Sequence, residues 1–280
     1  MYMRSDDHYA SHVCAFIIGG VSLKVISLNL WLGGELFPAI IDFLRAEDAD
    51  VVALQEVYNG KDLKLADKYR SMAVLHERLG YPYSDFAEAY KQSFSEGPEA
   101  KIGHGNAVLS KFPISKRELI YMNDPPDQAI DYQDIAEHWP IFPAPLQYVE
   151  LSTEAGPMNV FNMHGVWDMD GDNFSPERER MSKTIIKSID EKPCVILTGD
   201  SNAKASNRAM RNLEAKLTPV FGPELVSTFN MRRKTNPGYA TAAVDLMYVS
   251  PEFKILSQAC PDVDISDHRP LIVRLATSED

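Results

Sequence analysis

The chain has 280 residues, a formal net charge of −12 and an apolar fraction of 45%. A single domain of this length buries roughly three quarters of the surface of its unfolded chain, so its core is stable without disulfides. Its three cysteines have no metal-like spacing and no repeat is present, which excludes a disulfide-rich module and a repeat array and favours a reducing compartment.

The first 22 residues are predicted to be an N-terminal extension, followed by a single domain over residues 23–277. Residues 13–18 are apolar, but the run is too short to span a bilayer, and Asp6 and Asp7 precede it instead of basic residues. An extra strand and a disordered leader both fit this pattern. We therefore predict a cytoplasmic protein without stable membrane insertion.

Short apolar runs bounded by turn residues recur along the chain and predict β-strands. They lie at residues 24–28, 50–54, 105–109, 146–151, 159–163, 195–197, 245–249 and 271–275. The last residue before the sixth run, Cys194, is predicted to be a small buried hydrophobe.

Helical patterns lie between some of these strands. They cover residues 37–44, 64–79, 175–189 and 207–217. The third has the strongest start, with Ser175 as the N-cap and Pro176 at the first helical position. Strands covered by a few helices indicate mixed sheets that pack on each other, with helices outside. The stretch 121–145, rich in Pro and Asp, predicts a long loop or insertion, for which disorder is the alternative.

Polar residues follow the ends of several predicted strands. They are Asn29, Gln55 and Glu56, His164, Asp200 to Asn202, and Asp267 and His268, while Asp245 opens another strand. Strand ends are rigid and the loops after them are open, so reactive groups are often placed there. Each such residue alone would be an ordinary surface residue, but their recurrence at many strands of one domain predicts a common site.

The segments that carry these residues resemble, in order and spacing, the motifs of the endonuclease/exonuclease/phosphatase superfamily. The matching segments are Ser27-Leu28-Asn29, Leu54-Gln55-Glu56-Val57, residues 105–111, Asn162-Met163-His164, Gly199-Asp200-Ser201-Asn202, residues 244–250 and residues 266–270. They span residues 25–275, nearly the whole chain. The resemblance implies an α/β fold, a four-layer sandwich of two mixed β-sheets flanked by helices. It also implies a metal-dependent phosphoric ester hydrolase that forms no covalent intermediate.

The residue types suit this chemistry, because phosphoester hydrolysis needs an activated water, a Lewis acid and donors for the phosphate oxygens. By the resemblance, Glu56 is the principal ligand of Mg²⁺, with Mn²⁺ as a substitute, and Asp267 is a second ligand, direct or through water. Several relatives carry an acid two residues after the strand-end Asn as a further ligand. Trp31 stands at that position here, so a single, weakly held ion is predicted.

The resemblance also implies roles for the remaining polar residues. Asp200 would orient and deprotonate the attacking water, and Asn29 would hold Asp200 near the metal. Asn202 would donate its amide to the phosphate, and His164 would bind the phosphate or donate a proton. His268 would contact the scissile phosphate. Asp245 would hold its imidazole in one tautomer, and a carboxylate beside a histidine favours the imidazolium.

Residues outside these motifs give weaker indications of the substrate. Asn106 either contacts the substrate or has a structural role. Arg232, Arg233 and Lys234, the three consecutive cations of the run 231–234, either bind a second phosphate or a nucleic-acid strand backbone, or belong to a solvated loop. Trp139 and Trp167 either stack on a base or sugar or pack in the fold.

The charge distribution limits the partners. Residues 118–177 contain twelve acids and no Lys or Arg, whereas residues 178–280 contain fifteen basic and thirteen acidic residues. Duplex binding depends on phosphate neutralisation by basic residues, so any nucleic-acid contact is expected on the C-terminal half. We predict a monomer that acts on a phosphoester, with a nucleic-acid or nucleotide substrate favoured. A lipid or inositol-phosphate phosphoesterase and a catalytically inactive binding module of the same fold are the alternatives.

Overall fold

The computed structural model describes residues 22–94, 97–124, 142–168 and 173–277. The strands of this part of the chain are β1 (Leu23–Asn29), β2 (Val51–Tyr58), β3 (Tyr83–Gln92), β4 (Ile102–Ser110), β5 (Ile114–Tyr121), β6 (Pro145–Thr153), β7 (Gly156–His164), β8 (Val195–Asp200), β9 (Thr218–Pro219), β10 (Asp245–Val249), β11 (Phe253–Ala259) and β12 (Leu271–Thr277). The α-helices are α1 (Phe37–Glu47), α2 (Ser71–Leu79), α3 (Pro176–Ile189) and the short α4 (Arg208–Arg211).

The strands form two mixed sheets of six strands each. The strand order is β11-β12-β1-β2-β4-β3 in the first sheet and β5-β6-β7-β8-β10-β9 in the second. Each sheet contains one parallel pair, β1 with β2 and β7 with β8. Parallel neighbours need a crossover connection, and α1 and α3 provide it. The carboxyl ends of β1 and β2 therefore lie side by side, as do those of β7 and β8.

Side chains that alternate along the strands build three apolar layers. All seven residues of β1 are buried because both faces of the strand are covered. Val25 packs between the two sheets in the same cluster as Val160. Its neighbour Ile26 points the other way, into the cluster that includes Ile40 of α1. A third cluster lies between the second sheet and α3, where Ile185 packs. The predicted four-layer sandwich of two mixed sheets flanked by helices is confirmed.

The helices differ in how closely they follow the predictions. Ser175 caps α3 by accepting a hydrogen bond from the Arg178 amide at 3.2 Å, as its position before a proline predicts. The helix expected at 64–79 begins only at Ser71, after a 3₁₀ turn over Asp67–Arg70. The helix expected at 207–217 divides into α4 and a 3₁₀ turn that starts at Asn212, a residue with low helix propensity.

The four strands that the apolar runs did not predict, β3, β5, β9 and β11, all lie at sheet edges. An edge strand has one side without a neighbouring strand and is less covered than a central one. In β5 the four residues from Ser115 to Glu118 are exposed, and in β11 the four residues from Leu256 to Ala259 are exposed or nearly so. Such segments contain too few consecutive apolar residues to be recognised as strands.

The cysteines and the terminal regions give mixed outcomes. Cys194 is completely buried, but it is disulfide-bonded, whereas Cys260 is free. A disulfide at Cys194 does not support the reducing compartment predicted from the cysteines. No helix of the described residues is long and apolar enough to cross a membrane. The predicted extension 1–22, except for Ser22, and residues 125–141 of the predicted insertion lie outside the described residues.

Candidate active site

The two sheets meet at one polar centre, where a single side-chain amide joins a carboxylate from each sheet. Asn29, the last residue of β1, donates from Nδ2 to Glu56 Oε1 at 3.0 Å and to Asp200 Oδ2 at 3.1 Å. Glu56 belongs to β2 of the first sheet, and Asp200 is the last residue of β8 in the second sheet. Asn29 thus fixes the distance between the two carboxylates.

Glu56 reaches this position through a β-bulge. The pairing of β2 with β4 shifts between Leu54 and Val57, and Glu56 adopts a positive φ of 55°. The apolar run predicted that the strand ends before Glu56, whereas β2 continues through the bulge to Tyr58. The Leu32 amide donates to Glu56 Oε2 at 2.6 Å. The bulge and this hydrogen bond direct the carboxylate into the centre.

Trp31 lies in the turn that follows β1. Its amide donates to Asn29 Oδ1 at 3.0 Å, which leaves both Asn29 Nδ2 hydrogen bonds for the carboxylates. The Trp31 side chain is half-buried and offers no oxygen ligand, so the acids of the centre come from other strands.

Asp200 lies between two histidines. The Nε2 atoms of His164, which ends β7, and of His268 are each 3.9 Å from Asp200 Oδ2. The Asn202 amide donates to Asp200 Oδ1 at 2.8 Å. Burial raises the pKa of Asp200, although the positive charge of His268 opposes this rise. A carboxylate with a raised pKa is a stronger base, which suits the removal of a proton from water.

His268 and Asp245 form a buried pair. His268 Nδ1 lies 2.8 Å from Asp245 Oδ2, and the Phe229 ring packs against the imidazole with 4.5 Å between ring centroids. Burial alone would lower the pKa of His268, but Asp245 and then Asp200 outweigh burial and raise it to about 10. The imidazole therefore carries a proton at neutral pH.

Asn202 turns its side chain to the loop after β7. Its Nδ2 donates to the Gly165 carbonyl at 3.1 Å, and its backbone has a positive φ of 53°. The guanidinium of Arg178, fully buried in α3, donates to the Asn202 carbonyl at 2.5 Å. Asn202 is therefore held at the edge of the centre, close to Asp200.

Asp267 lies next to His268 and is buried. Its Oδ2 forms an ion pair with Lys234 Nζ at 2.8 Å, and its Oδ1 accepts from the Ser266 hydroxyl at 3.3 Å. Burial would lower the pKa of Lys234, but Asp267 outweighs burial and raises it. The sequence indicated Lys234 only as the third of the consecutive cations in the run 231–234 and gave no sign of its pairing with Asp267.

Asn106 lies inside the sandwich and not on its open edge. It is completely buried in β4, and its Nδ2 donates to the Asn162 carbonyl at 2.9 Å. The Asn162 side chain accepts from Gln55 Nε2 at 2.7 Å and donates to the Leu54 carbonyl at 3.0 Å. The side chains of Gln55, Asn106 and Asn162 thus join the two sheets close to the strand ends that carry Glu56 and His164. The position favours the structural alternative for Asn106 over contact with substrate.

The two arginines predicted to bind substrate are engaged with neighbouring acids. Arg232 contacts both carboxylate oxygens of Asp262, at 3.0 and 3.2 Å. Arg233 contacts both oxygens of Asp264, at 2.8 and 2.6 Å. Substrate binding by either arginine would have to compete with these pairs. Trp167 is 39% exposed, and Trp139 lies outside the described residues.

One buried histidine near the centre was missed by the sequence reasoning. His104 of β4 lies 6.4 Å from His164, measured between ring centroids, and packs against Tyr58 and Tyr90. Burial lowers the pKa of His104 to about 3, and His164 adds to this effect. His104 is therefore neutral at physiological pH. Nothing in the sequence distinguished it from an ordinary strand residue.

The donor set allows two interpretations for a metal. Asp200, Asp245 and His268 offer ligand atoms within 4.8 Å of one another, but His268 Nδ1 already contacts Asp245. Glu56 and Asp267 offer carboxylate oxygens, which Mg²⁺ prefers. The carboxylates of Glu56 and Asp267 therefore suit a hard divalent ion. Asp200 and Asp245 instead suit the role of two acids that hold the charged imidazole of His268.

The comparison with known families supports the motif-based inference. Residues 26–268 match the model of the Endonuclease/Exonuclease/phosphatase family. The chain belongs to this family. The matched range includes all the residues of the polar centre and most of both sheets. The resemblance inferred from the motifs is confirmed.

Solved structures of the same fold are more diverged in sequence. The endonuclease/exonuclease/phosphatase from Beutenbergia cavernae has 16% identity and a TM-score of 0.72, over 91% of this chain and 72% of that one. The mannosyl-6-phosphatase of Bacteroides thetaiotaomicron has 18% identity and a TM-score of 0.64, over 91% of this chain and 100% of that one. TDP2 of D. rerio, complexed with a single-strand DNA product, has 17% identity and a TM-score of 0.65, over 91% of this chain and 99% of that one. At such identities these likenesses show the fold alone.

Among curated proteins, the uncharacterized protein YbhP of Escherichia coli is 30% identical over 105 residues. The match covers 35% of this chain and 40% of YbhP.

Proposed function

We propose that this family member is a Mg²⁺-dependent phosphoesterase that hydrolyses a phosphodiester or phosphomonoester by direct attack of an activated water. One observation carries the proposal. The Asn29 amide holds Glu56 and Asp200 together, and two histidines lie at equal distance from Asp200. Such a centre has a base, a charged imidazole and a carboxylate for a metal in one place.

Glu56 and Asp267 would hold the divalent ion, which supplies Lewis-acid polarisation of the phosphate when bound. Mn²⁺, another divalent ion that carboxylates bind, would substitute for Mg²⁺. Asn29 orients Glu56 from one side, and the Leu32 amide does so from the other. The carboxylate therefore needs little rearrangement to bind a cation.

Asp200 would take the proton of the attacking water at Oδ2, between the two histidines. His268, charged and held by Asp245, would donate to a phosphate oxygen. His164 would bind the phosphate or donate a proton to the oxygen that leaves when the P–O bond breaks. The side-chain amide of Asn202 would contribute a further hydrogen-bond donor to the phosphate. General acid–base assistance of this kind is worth on the order of 10² to 10⁴ in rate.

We favour a nucleic-acid or nucleotide substrate, and the alternative is a lipid or inositol-phosphate ester. The likeness to TDP2, whose structure holds single-strand DNA, supports the first class. The likeness to a mannosyl-6-phosphatase adds sugar phosphates to the substrates that have to be tested. A cytoplasmic monomer and a single catalytic domain over residues 23–277 complete the proposal.

The test is a substrate panel with the purified full chain in Mg²⁺ or in EDTA. The panel contains an abasic duplex, single-stranded DNA, 5′-tyrosyl DNA, sphingomyelin, inositol phosphates and a sugar 6-phosphate. We expect Mg²⁺-dependent hydrolysis of at least one member. Asp200→Asn should lower the rate at least about 100-fold, because it removes the base.

The matched control is Asp190→Asn. Asp190 follows α3 and pairs with Lys216 on the surface, so this change should leave the rate unaltered. Hydrolysis that persists in EDTA, or that survives Asp200→Asn, contradicts the proposal. Binding of a panel member without hydrolysis by the folded wild type would support the inactive binding module instead.

A further inference from the structure

Lys234 is the cation of the basic run that turns toward the centre. Arg232 and Arg233 are tied to Asp262 and Asp264 on the surface. The Lys234 ammonium instead lies 2.8 Å from Asp267 Oδ2, and the exposed fractions of the two side chains are 31% and 4%. The carboxylate of this pair is therefore much less hydrated than those of the two arginine pairs, which are 55% and 37% exposed.

The loop that carries Lys234 is fixed to the segment that carries Asp267 and His268. The Asn230 amide donates to the Asp267 carbonyl at 2.8 Å, and Asn230 Nδ2 donates to the Ser266 carbonyl at 2.9 Å. The Lys234 amide in turn donates to the Asn230 carbonyl at 3.0 Å. Lys234 and Asp267 are therefore held together through the backbone as well as by charge.

Aromatic rings support the side chain of Lys234. Its Nζ lies 5.9 Å from the Phe229 ring centroid and 5.5 Å from that of Tyr239. Phe229 is also the ring that packs on His268. A cation over aromatic faces is stabilised by the ring quadrupole. The Phe229 ring thus contacts both the ammonium of Lys234 and the imidazole of His268.

Lys234 would balance the formal charge of the centre with one divalent ion bound. The acids Glu56, Asp200, Asp245 and Asp267 give −4 when all are ionised, one divalent ion gives +2 and protonated His268 gives +1. The sum is −1, and the ammonium of Lys234 brings it to zero.

We propose that Lys234 is the second cation of the centre, neutralising Asp267 and binding an oxygen of the phosphoryl group, so that one divalent ion suffices. The inference rests on the proposed function, because it concerns the same phosphoryl group. Lys234 would then compete with the metal for Asp267 and cooperate with the metal in holding phosphate. Removal of the Lys234 ammonium should therefore strengthen metal binding and weaken phosphate binding.

The test compares Lys234→Met, which keeps the apolar stem, with Lys234→Arg, which keeps the charge. Mn²⁺ binding to the full chain is measured by electron paramagnetic resonance, and binding of inorganic phosphate to the Mn²⁺-loaded chain by calorimetry. We expect one Mn²⁺ per wild-type chain. In Lys234→Met, Mn²⁺ should bind about tenfold more tightly and phosphate about tenfold more weakly, because a nearby positive charge is gone.

Lys183→Met is the matched control and should change neither affinity, because Lys183 pairs with Glu179 on the exposed face of α3. Two Mn²⁺ per wild-type chain would overturn the inference, as would a Lys234→Met chain in which both affinities fall or neither changes. Circular dichroism verifies that each variant is folded. Hydrolysis is not measured here, so a failure of the proposed activity is seen separately, in the substrate panel.

Discussion

The proton on His268 depends on the acids around the imidazole. Burial without partners would leave the ring neutral, as it does in His104, where no acid outweighs the desolvation. Asp245 contacts His268 directly, and Asp200 and Asp267 lie near it. His104 is thus neutral and His268 is positively charged, although both are buried, because only His268 has acids beside its ring.

The charge state of His268 predicts a pH dependence of stability. The folded-state pKa, about 10, is raised above the ordinary value of about 6.5. The folded chain therefore binds this proton more tightly than the unfolded chain. The resulting stability is fully present below pH 6.5 and is lost as the pH rises through 10. We expect the stability difference between wild type and His268→Gln to be larger at pH 6 than at pH 10.

Urea denaturation in EDTA at the two pH values measures this difference. The matched control is His76→Gln, which alters an exposed histidine of α2. A difference for His268→Gln that stays constant, or that grows with pH, would show that the imidazole is not held in its charged form.

At the scale of the elements, the end of β8 depends on a close approach of two strands. Gly199 has a φ of 131°, and a Cβ at this position would lie 2.0 Å from the Met163 carbonyl oxygen of β7. A side chain would therefore push β8 away from β7 and displace Asp200 from His164. Glycine is required here for space as well as for its backbone conformation.

Gly199→Ala should lower the free energy of unfolding by about 3 kcal/mol or more, because strain and a backbone clash act together. Gly156→Ala is the control, since Gly156 also has a positive φ, 114°, but no atom lies within 4 Å of the place that a Cβ would take there. That variant should lose only about 1 kcal/mol. Equal losses in urea denaturation would contradict the role of the β7–β8 contact.

Strand-level predictions from the sequence succeeded where both faces of a strand are buried. Central strands such as β1 and β8 are rich in apolar residues, and their polar last residues mark the edge of the sandwich. Edge strands lack such runs and were missed. The bulge at Glu56 was missed as well, because a positive φ at a glutamate has no signature in the local residue pattern. It depends on the pairing of β2 with β4.

At the scale of the whole molecule, the centre joins side chains that are far apart in sequence. Asn29 and Asp200 are 171 positions apart, and the Ser266 hydroxyl donates to the Asn29 carbonyl over 237 positions. The motifs predicted the convergence, because the order of strand-end residues is characteristic of the family. They could not predict the partners within the centre, such as the Lys234–Asp267 pair, since these depend on how loops pack.

Metal binding should stabilise the whole molecule. An ion that binds only the folded chain adds about 2.7 kcal/mol at 100 times its Kd. For a chain of this size, we expect Mg²⁺ at that excess to raise Tm by about 5 °C. Glu56→Gln should largely abolish the shift, because it weakens the principal ligand.

Differential scanning fluorimetry with Mg²⁺ or EDTA measures the shift. Glu77→Gln, on the exposed face of α2, should respond like the wild type. A Tm shift of equal size in Glu56→Gln would place the ion elsewhere in the molecule.

The pairing of β12 with β1 has a consequence for synthesis on the ribosome. β1 gains its antiparallel neighbour only from residues 271–275, and the segment that presents Asp267 and His268 comes just before β12. A nascent chain that has exposed Asn29, Glu56, His164 and Asp200 outside the exit tunnel therefore still lacks His268 and one flank of its first sheet. The polar centre would therefore be completed only late in translation, after residues up to about 277 have emerged.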